Sequence, residues 1–392
     1  MDTDADRVLS DLRDLAALTS NERGAQRVAF TPAWTRAREW LRARLAQLPV
    51  EVVEDGARNL WVRLAGERDP PVAVGSHLDS VPDGGWLDGA LGVVAGLELL
   101  RAAGPAPSRS LLLVDWADEE GRFGPSLVGS TAAFGTVDLE ALRAGSAGVV
   151  LDLDAVATAH LRRPDMAAYL ELHIEQGPVL EAAGVPVAAV RGTYGVRRGR
   201  LCFRGRAAHA GATPLDARHD PVAAAARFVL GAREAARRVG GLVTVGVLEA
   251  LPPTPTAVAA TCRLTFDARH AELDPLERLR AELLRAARDA ADAERVGLAS
   301  ETLWRIDPIA FDATLVGHVE QAAAAVGARH PALLSGPLHD AAQPAQAGIP
   351  AAMVFVRSRD GISHSAEEDS DPEDVRAGVR VLAAAVARAM DG

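Results

Sequence analysis

Lysine is absent from the 392 residues, so arginine carries all of the fixed positive side-chain charge. That excludes lysine nucleophiles and Schiff-base cofactor chemistry. Net positive charge is missing too: 42 Lys+Arg stand against 53 Asp+Glu, a formal net charge of −11. An acidic chain without a basic run is a poor binder of polyanions, so no nucleic-acid partner is expected. Cysteine is scarce. Cys202 and Cys262 lie in apolar, strand-like runs and are expected to be buried thiols. No apolar stretch approaches the ~20 residues of a membrane helix, so no membrane partner is expected either. The opening MDTDADRVLSDLRDLAAL has neither the basic start nor the apolar core of a secretory signal. A cytoplasmic enzyme is the resulting expectation. What the chain does have is ample apolar material, 48% of its residues, enough for two or three domains at roughly 150 residues each.

Residues 5–48 read as helical, with Leu9, Leu12, Leu15 and Leu18 at helical spacing. The pattern then turns to strands at 50–53, 60–64, 72–74 and 111–116, with a helix at 91–100 between the last two. Strand, helix, strand is the signature of an α/β domain. Residues 169–176 alternate apolar and polar side chains, as a half-buried strand does. The middle of the chain differs. A strand at 198–204 precedes a helix opened by Asp220-Pro221 and running to about 239. Strands follow at 242–248 and 261–266, then a helix capped by Asp274-Pro275 to about 295, then a short strand at 303–306. That βαββαβ order predicts a ferredoxin-like α+β module. A domain spanning 194–306 is therefore expected to be inserted into a first domain made of 1–193 plus 307–392. Asp371-Pro372 opens the last helix.

Chemistry-bearing residues gather just past predicted strand ends. GSHLDSVPDGGWLDGALG carries His77, Asp79 and Asp88, and DWADEEG carries Glu119 and Glu120. ELHIEQGP carries His173, and GISHSAEE carries His364. The carboxyl ends of strands are where sites form in open α/β sheets. A lone histidine of this kind is commonly structural, and a Glu-Glu pair is commonly a solvated loop. Three imidazoles with several carboxylates at strand ends instead point to a metal site. Of the paired glutamates, one can bind metal while its neighbour handles a proton. Asp88, with two oxygens, can bridge two ions, as in two-metal hydrolytic sites. Asp79 is placed to hydrogen-bond the outer nitrogen of His77.

These segments resemble the dizinc aminoacylase/carboxypeptidase superfamily, and within it the hydantoinase/carbamoylase group. That group comprises N-carbamoyl-L-amino-acid hydrolases, allantoate amidohydrolases and β-ureidopropionases. The matching blocks run in order along nearly the whole chain: GSHLDSVPDGGWLDGALGVVAGLELL, EEGRFGPSLVGS, ELHIEQGPVLE, GRAAHAGATPLDARHD, FDAR, SGPLHDA and FVRSRDGISHSAEE. The resemblance implies a mixed-sheet metallohydrolase catalytic domain and an inserted lid or dimerisation domain. It implies two divalent ions per subunit, with Zn2+ favoured over Mn2+ or Co2+. His77, Asp88 and His173 would hold one ion, with Asp88 bridging, and Glu120 and His364 the other. Glu119 would be the general base, with Asp79 counted in the catalytic set through His77. His209, from the partner subunit of a homodimer built through the inserted domain, would stabilise the oxyanion. Arg269 would grip the carboxylate of a small-molecule substrate, and Gln176, Arg218, Thr256 and His339 would shape the pocket.

The chain also departs from the family pattern. EEGRFG is one residue shorter than usual. Pro253 and Thr256 stand where the family carries two asparagines, and Leu338 replaces a glycine in SGPLHDA. The metal ligands and base are intact while the substrate-facing residues are altered. The expected activity is hydrolysis of a linear C–N bond in an N-carbamoyl or N-acyl amino acid bearing a free carboxylate. Allantoate hydrolysis, or a peptidase or deacylase activity, is the alternative. Retention of Glu119 argues against a purely binding role, since a binding protein needs no base.

Overall fold

A computed structural model describes residues 1–146 and 151–392. The chain divides into two units, Met1–Gly192 with Ala310–Gly392, and Thr193–Ile309. Among the described residues no helix is long and apolar enough to cross a membrane.

The N-terminal region is not one helix. Helix α1 (Ala5–Thr19) and helix α2 (Pro32–Leu45) are separated by a small hairpin. The break has local causes. Asn21 Oδ1 accepts from the Arg23 amide, Gly24 takes a positive φ of 118°, and Thr31 caps a new helix whose first residue is Pro32.

The first unit is built on a mixed sheet. Its principal strands are β1 (Val50–Glu54), β2 (Leu60–Leu64), β3 (Val72–His77), β4 (Leu111–Trp116), β5 (Ala168–Ile174), β6 (Val187–Thr193) and, near the C-terminus, Ala351–Val356, and two short strands pair with β6. Starting from β6, the sheet runs through Ala351–Val356, β5, β3, β4 and β2 to β1. The four central strands are parallel, and the strands beside them are antiparallel. Every residue of the four central strands is buried, which suits the apolar runs of β3, β4 and Ala351–Val356. Strand β5, whose alternation predicts a half-buried strand, is buried on both faces, with Glu171 satisfied by Ser76 and Tyr169. Helix α3 (Ala90–Ala103) packs on β3, β4 and β5, and the C-terminal helix Pro372–Asp391 packs on β5 and Ala351–Val356. Because the central strands are parallel, His77, the loop after Trp116, His173 and the loop after Val356 all lie at one edge of the sheet.

The second unit is an antiparallel sheet with helices on one face. It comprises β7 (Gly195–Arg204), α4 (Pro221–Val239), β8 (Leu242–Leu251), β9 (Thr261–His270), α5 (Leu273–Glu294) and β10 (Gly297–Ile306), with β8 and β10 at the edges. Strands β7 and β9 alternate buried and accessible residues, as a sheet covered on one face must. Leu201, Phe203, Phe228, Phe266, Leu279 and Leu283 fill the core under the helices. Strands β7, β8 and β9 extend beyond the expected 198–204, 242–248 and 261–266, and three further details differ from expectation. Strand β10 spans ten residues, most of them accessible, so apolar content marked only its end. Helix α5 starts at Leu273, with Pro275 inside the first turn, where its missing N–H costs nothing. Cys262 is buried, but Cys202 is only partly so, since it points to the uncovered face.

Candidate functional site

The sheet edge of the first unit brings four segments together. His77 is the last residue of β3, and His173 lies within β5. Asp88 follows a turn and precedes Gly89, whose φ of 63° starts α3. A Cβ on Gly89 would lie 2.4 Å from the His77 ring, so only glycine lets α3 begin against that imidazole. Glu119 and Glu120 follow β4. His364 lies in the loop after Ala351–Val356, with a positive φ of 55° and a half-exposed side chain.

Two groups of potential ligand atoms share Asp88. One is His77, Asp88 and His173; the other is Asp88, Glu120 and His364; within each group the atoms lie within 4.8 Å of one another. Asp88 Oδ1 is 3.2 Å from His173 Nε2, and Asp88 Oδ2 is 3.2 Å from His364 Nε2. His364 Nε2 is 3.4 Å from Glu120 Oε2. Glu119 Oε2 is 3.8 Å from His77 Nε2.

The electrostatics of this cluster fit a cationic occupant. Burial, then the charges of Glu120, Asp340, Asp79 and Asp88, hold the Glu119 carboxyl well above its usual range. Burial and Asp88 push Glu120 up to about 8, and burial with the charges of Asp118 and Glu120 raises Asp79. Burial pulls His77 down to about 3. Burial pulls His173 down as well, but its contact with Asp88 outweighs this and carries it up to about 9. The bond to Asp88 raises His364 to about 9. His173 Nε2 is buried, and its 3.2 Å contact with Asp88 lacks hydrogen-bond geometry, so the nitrogen has no hydrogen bond among the described residues. Crowded buried carboxylates beside an unsatisfied imidazole nitrogen are the donor set a divalent cation needs, and such a cation would stabilise their ionised forms.

Asp79 acts differently from the expected imidazole clamp. His77 Nδ1 lies 3.1 Å from the main-chain oxygen of Asp79, while the Asp79 carboxylate is 3.7 Å away. That carboxylate instead accepts from the amides of Glu119 and Glu120, at 3.4 and 3.2 Å. It thus fixes the backbone of the glutamate pair. Its two-residue spacing from His77 gave no sign of this, because the partner loop is 40 residues distant.

Gln176, with a φ of 56°, donates from Nε2 to Asp88 Oδ2 and Ser363 Oγ. His339 is buried against His173, with ring centroids 4.2 Å apart, and neither of its nitrogens has a hydrogen-bond partner among the described residues. The remaining candidates belong to the second unit. His209 is exposed, and its Nδ1 accepts from the Gly211 amide. Arg218 donates to the carbonyls of Ala210 and Thr213, bracing the turn that carries His209. Thr256 accepts from the Ala210 amide through its main-chain oxygen. Arg269 donates from Nε to Asp267 Oδ1 at 2.8 Å, and Asp267 also receives Arg198.

Several supporting residues have no role readable from the sequence, although Glu171 and Glu368 lie in the matching blocks ELHIEQGPVLE and FVRSRDGISHSAEE. Glu171 accepts from Ser76 Oγ, Tyr169 and the Ala341 amide. Arg27, fully buried, donates to the Leu78 carbonyl beside His77. Glu368 accepts from the Leu87 and Asp88 amides, about 280 residues upstream. Only tertiary contact reveals them.

Known proteins supply an independent line. The sequence profile described as Peptidase family M20/M25/M40 matches residues 73–388. An N-carbamoyl-L-amino acid amidohydrolase of Geobacillus stearothermophilus is 36% identical, with 92% of each chain covered. An allantoate amidohydrolase of Escherichia coli is 31% identical, again with 92% of each covered. The crystal structure of an amidase of the hydantoinase/carbamoylase family from Burkholderia multivorans superimposes with a TM-score of 0.89. It is 31% identical, and the match covers 100% of this chain and 98% of that one.

Proposed function

The chain belongs to Peptidase family M20/M25/M40, and from that premise we propose that it is a two-metal amidohydrolase. Its reaction is hydrolysis of a linear ureido or amide C–N bond in a small N-carbamoyl or N-acyl amino acid with a free carboxylate. The observation that carries this reading is the pair of ligand groups sharing Asp88, with Glu119 beside them. The similarity to N-carbamoyl-L-amino acid and allantoate amidohydrolases supports the bond type.

In this reading His77, Asp88 and His173 hold one divalent ion, and Asp88, Glu120 and His364 the other. Zn2+ suits these ligands, as do Mn2+ and Co2+. When bound, such ions polarise the scissile carbonyl and acidify water. Glu119 takes a proton from the attacking water and delivers it to the departing nitrogen. Asp79 keeps the glutamate pair in register through their amides. Gln176 holds the Asp88 carboxylate, and buried His339 packs behind His173. His209, contributed by the partner of a homodimer formed through the inserted unit, donates to the developing oxyanion. Arg218 stiffens the turn that bears it, and the main-chain oxygen of Thr256 accepts the Ala210 amide of the same turn. Arg269 meets the substrate carboxylate, with Asp267 fixing its guanidinium from behind. An N-carbamoyl substrate yields an amino acid, CO2 and ammonia.

The test is a product screen with Zn2+, Mn2+ or Co2+ added. Ureido acids, allantoate, N-acyl amino acids and dipeptides are offered, and ammonia or free amine is measured. Fastest turnover on an N-carbamoyl or N-acyl amino acid is expected. Faster turnover of allantoate would move the assignment to that substrate. Turnover confined to dipeptides would overturn the proposal in favour of a peptidase.

A further inference from the structure

Asp88 is gripped from two sides by a closed ring of hydrogen bonds, and Glu368 is the part of that ring that reaches from the His364 loop. Glu368 Oε1 accepts the amides of Leu87 and Asp88 at 3.1 and 3.0 Å. Its Oε2 accepts Ser363 Oγ at 2.7 Å. Ser363 Oγ in turn accepts Gln176 Nε2 at 3.1 Å, and that same nitrogen donates to Asp88 Oδ2 at 3.1 Å. The ring therefore runs from the Asp88 backbone through Glu368, Ser363 and Gln176 to the Asp88 carboxylate. Glu368 is 2% exposed. It fits so closely under the 84–88 turn that a Cβ on Gly85 would lie 1.9 Å from its carboxyl group.

The two ligand groups differ in how much they need this ring. His77 and His173 stand on central strands of the sheet, whose register fixes them. His364 stands on a loop, in left-handed backbone that a histidine seldom adopts, with its side chain half exposed. Ser363, its immediate neighbour, is tied by Glu368 to the turn carrying Asp88. We infer that Glu368 is a positioning residue that sets the spacing of Asp88 and His364, and hence the affinity of the Asp88–Glu120–His364 group for its ion. The inference rests on the two-metal reading above. Residues behind metal ligands commonly change affinity by about 10- to 100-fold when removed.

The experiment titrates Co2+ into metal-stripped wild type, E368A, E368Q and S363A, following cobalt absorption and bound metal by dialysis. Thermal unfolding of the metal-free proteins is measured alongside. Wild type takes two ions. E368A keeps the first near wild-type affinity and binds the second about 10- to 100-fold more weakly. E368Q, whose amide oxygen still accepts both backbone N–H groups, stays within a few-fold of wild type. S363A weakens the second ion in the same direction as E368A, and it reports on the ring if E368A fails to fold. A lowered unfolding temperature with unchanged affinity for both ions means a merely structural carboxylate and overturns the inference alone. A wild type that takes only one ion overturns the two-metal reading and the inference with it.

Discussion

Glu119 has its carboxyl 3.8 Å from His77 Nε2 and is surrounded by the carboxylates of Glu120, Asp340, Asp79 and Asp88. Burial and those charges favour its protonated form, so cations entering the cluster make it a better proton acceptor. If Glu119 is the base, as proposed, its capacity is thereby coupled to metal loading. Glu119→Gln is nearly isosteric and removes none of the proposed ligands. Metal content by elemental analysis should match wild type, while kcat falls by roughly 10²–10⁴-fold. Activity within a few-fold of wild type would assign the proton transfer to another group. At this scale the sequence named the residues but not all of their partners. Asp79 was legible as a member of the site, yet its carboxylate serves the Glu119 and Glu120 amides rather than His77. Arg269 was legible as a candidate for the substrate carboxylate, but not its bond to Asp267.

Among the elements, helix α4 shows how local chemistry sets a boundary. Asp220 accepts the amides of Val222 and Ala223, Pro221 occupies the first turn, and Gly240 ends the helix in left-handed backbone. One face then buries Ala224, Ala225, Phe228, Ala232, Ala235 and Ala236. Asp220→Ala should cost about 1 kcal/mol, and Asp220→Asn should recover most of it. Urea unfolding followed by a probe in the inserted unit measures both. An Asp220→Ala midpoint equal to wild type would mean that core burial alone fixes the helix start. The caps at Asp220 and Asp371 were readable because a cap and its helix are neighbours in sequence. The split between α1 and α2 was not, because evenly spaced leucines outweighed the signals at Asn21, Gly24 and Thr31. Exposed strands such as β8 and β10 were read short, since accessible positions tolerate residues without β-character.

For the whole molecule, the proposed homodimer makes a prediction about how two lesions combine. If His209 acts across the dimer, each complete site takes Glu119 from one chain and His209 from the other. Homodimers of Glu119→Gln and of His209→Ala should both be nearly inactive. In a hybrid of the two, one site carries both lesions and the other carries none. Equal amounts exchanged at random should recover about a quarter of wild-type activity, by two-fold symmetry. Verified hybrids as inactive as their parents would confine His209 to its own chain.

What the sequence determined by itself was the family, the βαββαβ order of the middle segment, the strands at 60–64 and 111–116, and the residue types of the candidate metal site. Each is written in short runs where side-chain chemistry, spacing and periodicity act over a few residues. Only the tertiary structure decided which atoms face one another. Parallel pairing of β3, β4 and β5 with Ala351–Val356 puts four distant loops at one sheet edge, and Asp88 then touches both His173 and His364. Glu368, Arg27 and Glu171 gain their roles in the same way. A buried carboxylate or guanidinium far along the chain has no periodicity to mark it, and its purpose exists only once the backbone groups it satisfies have been folded against it.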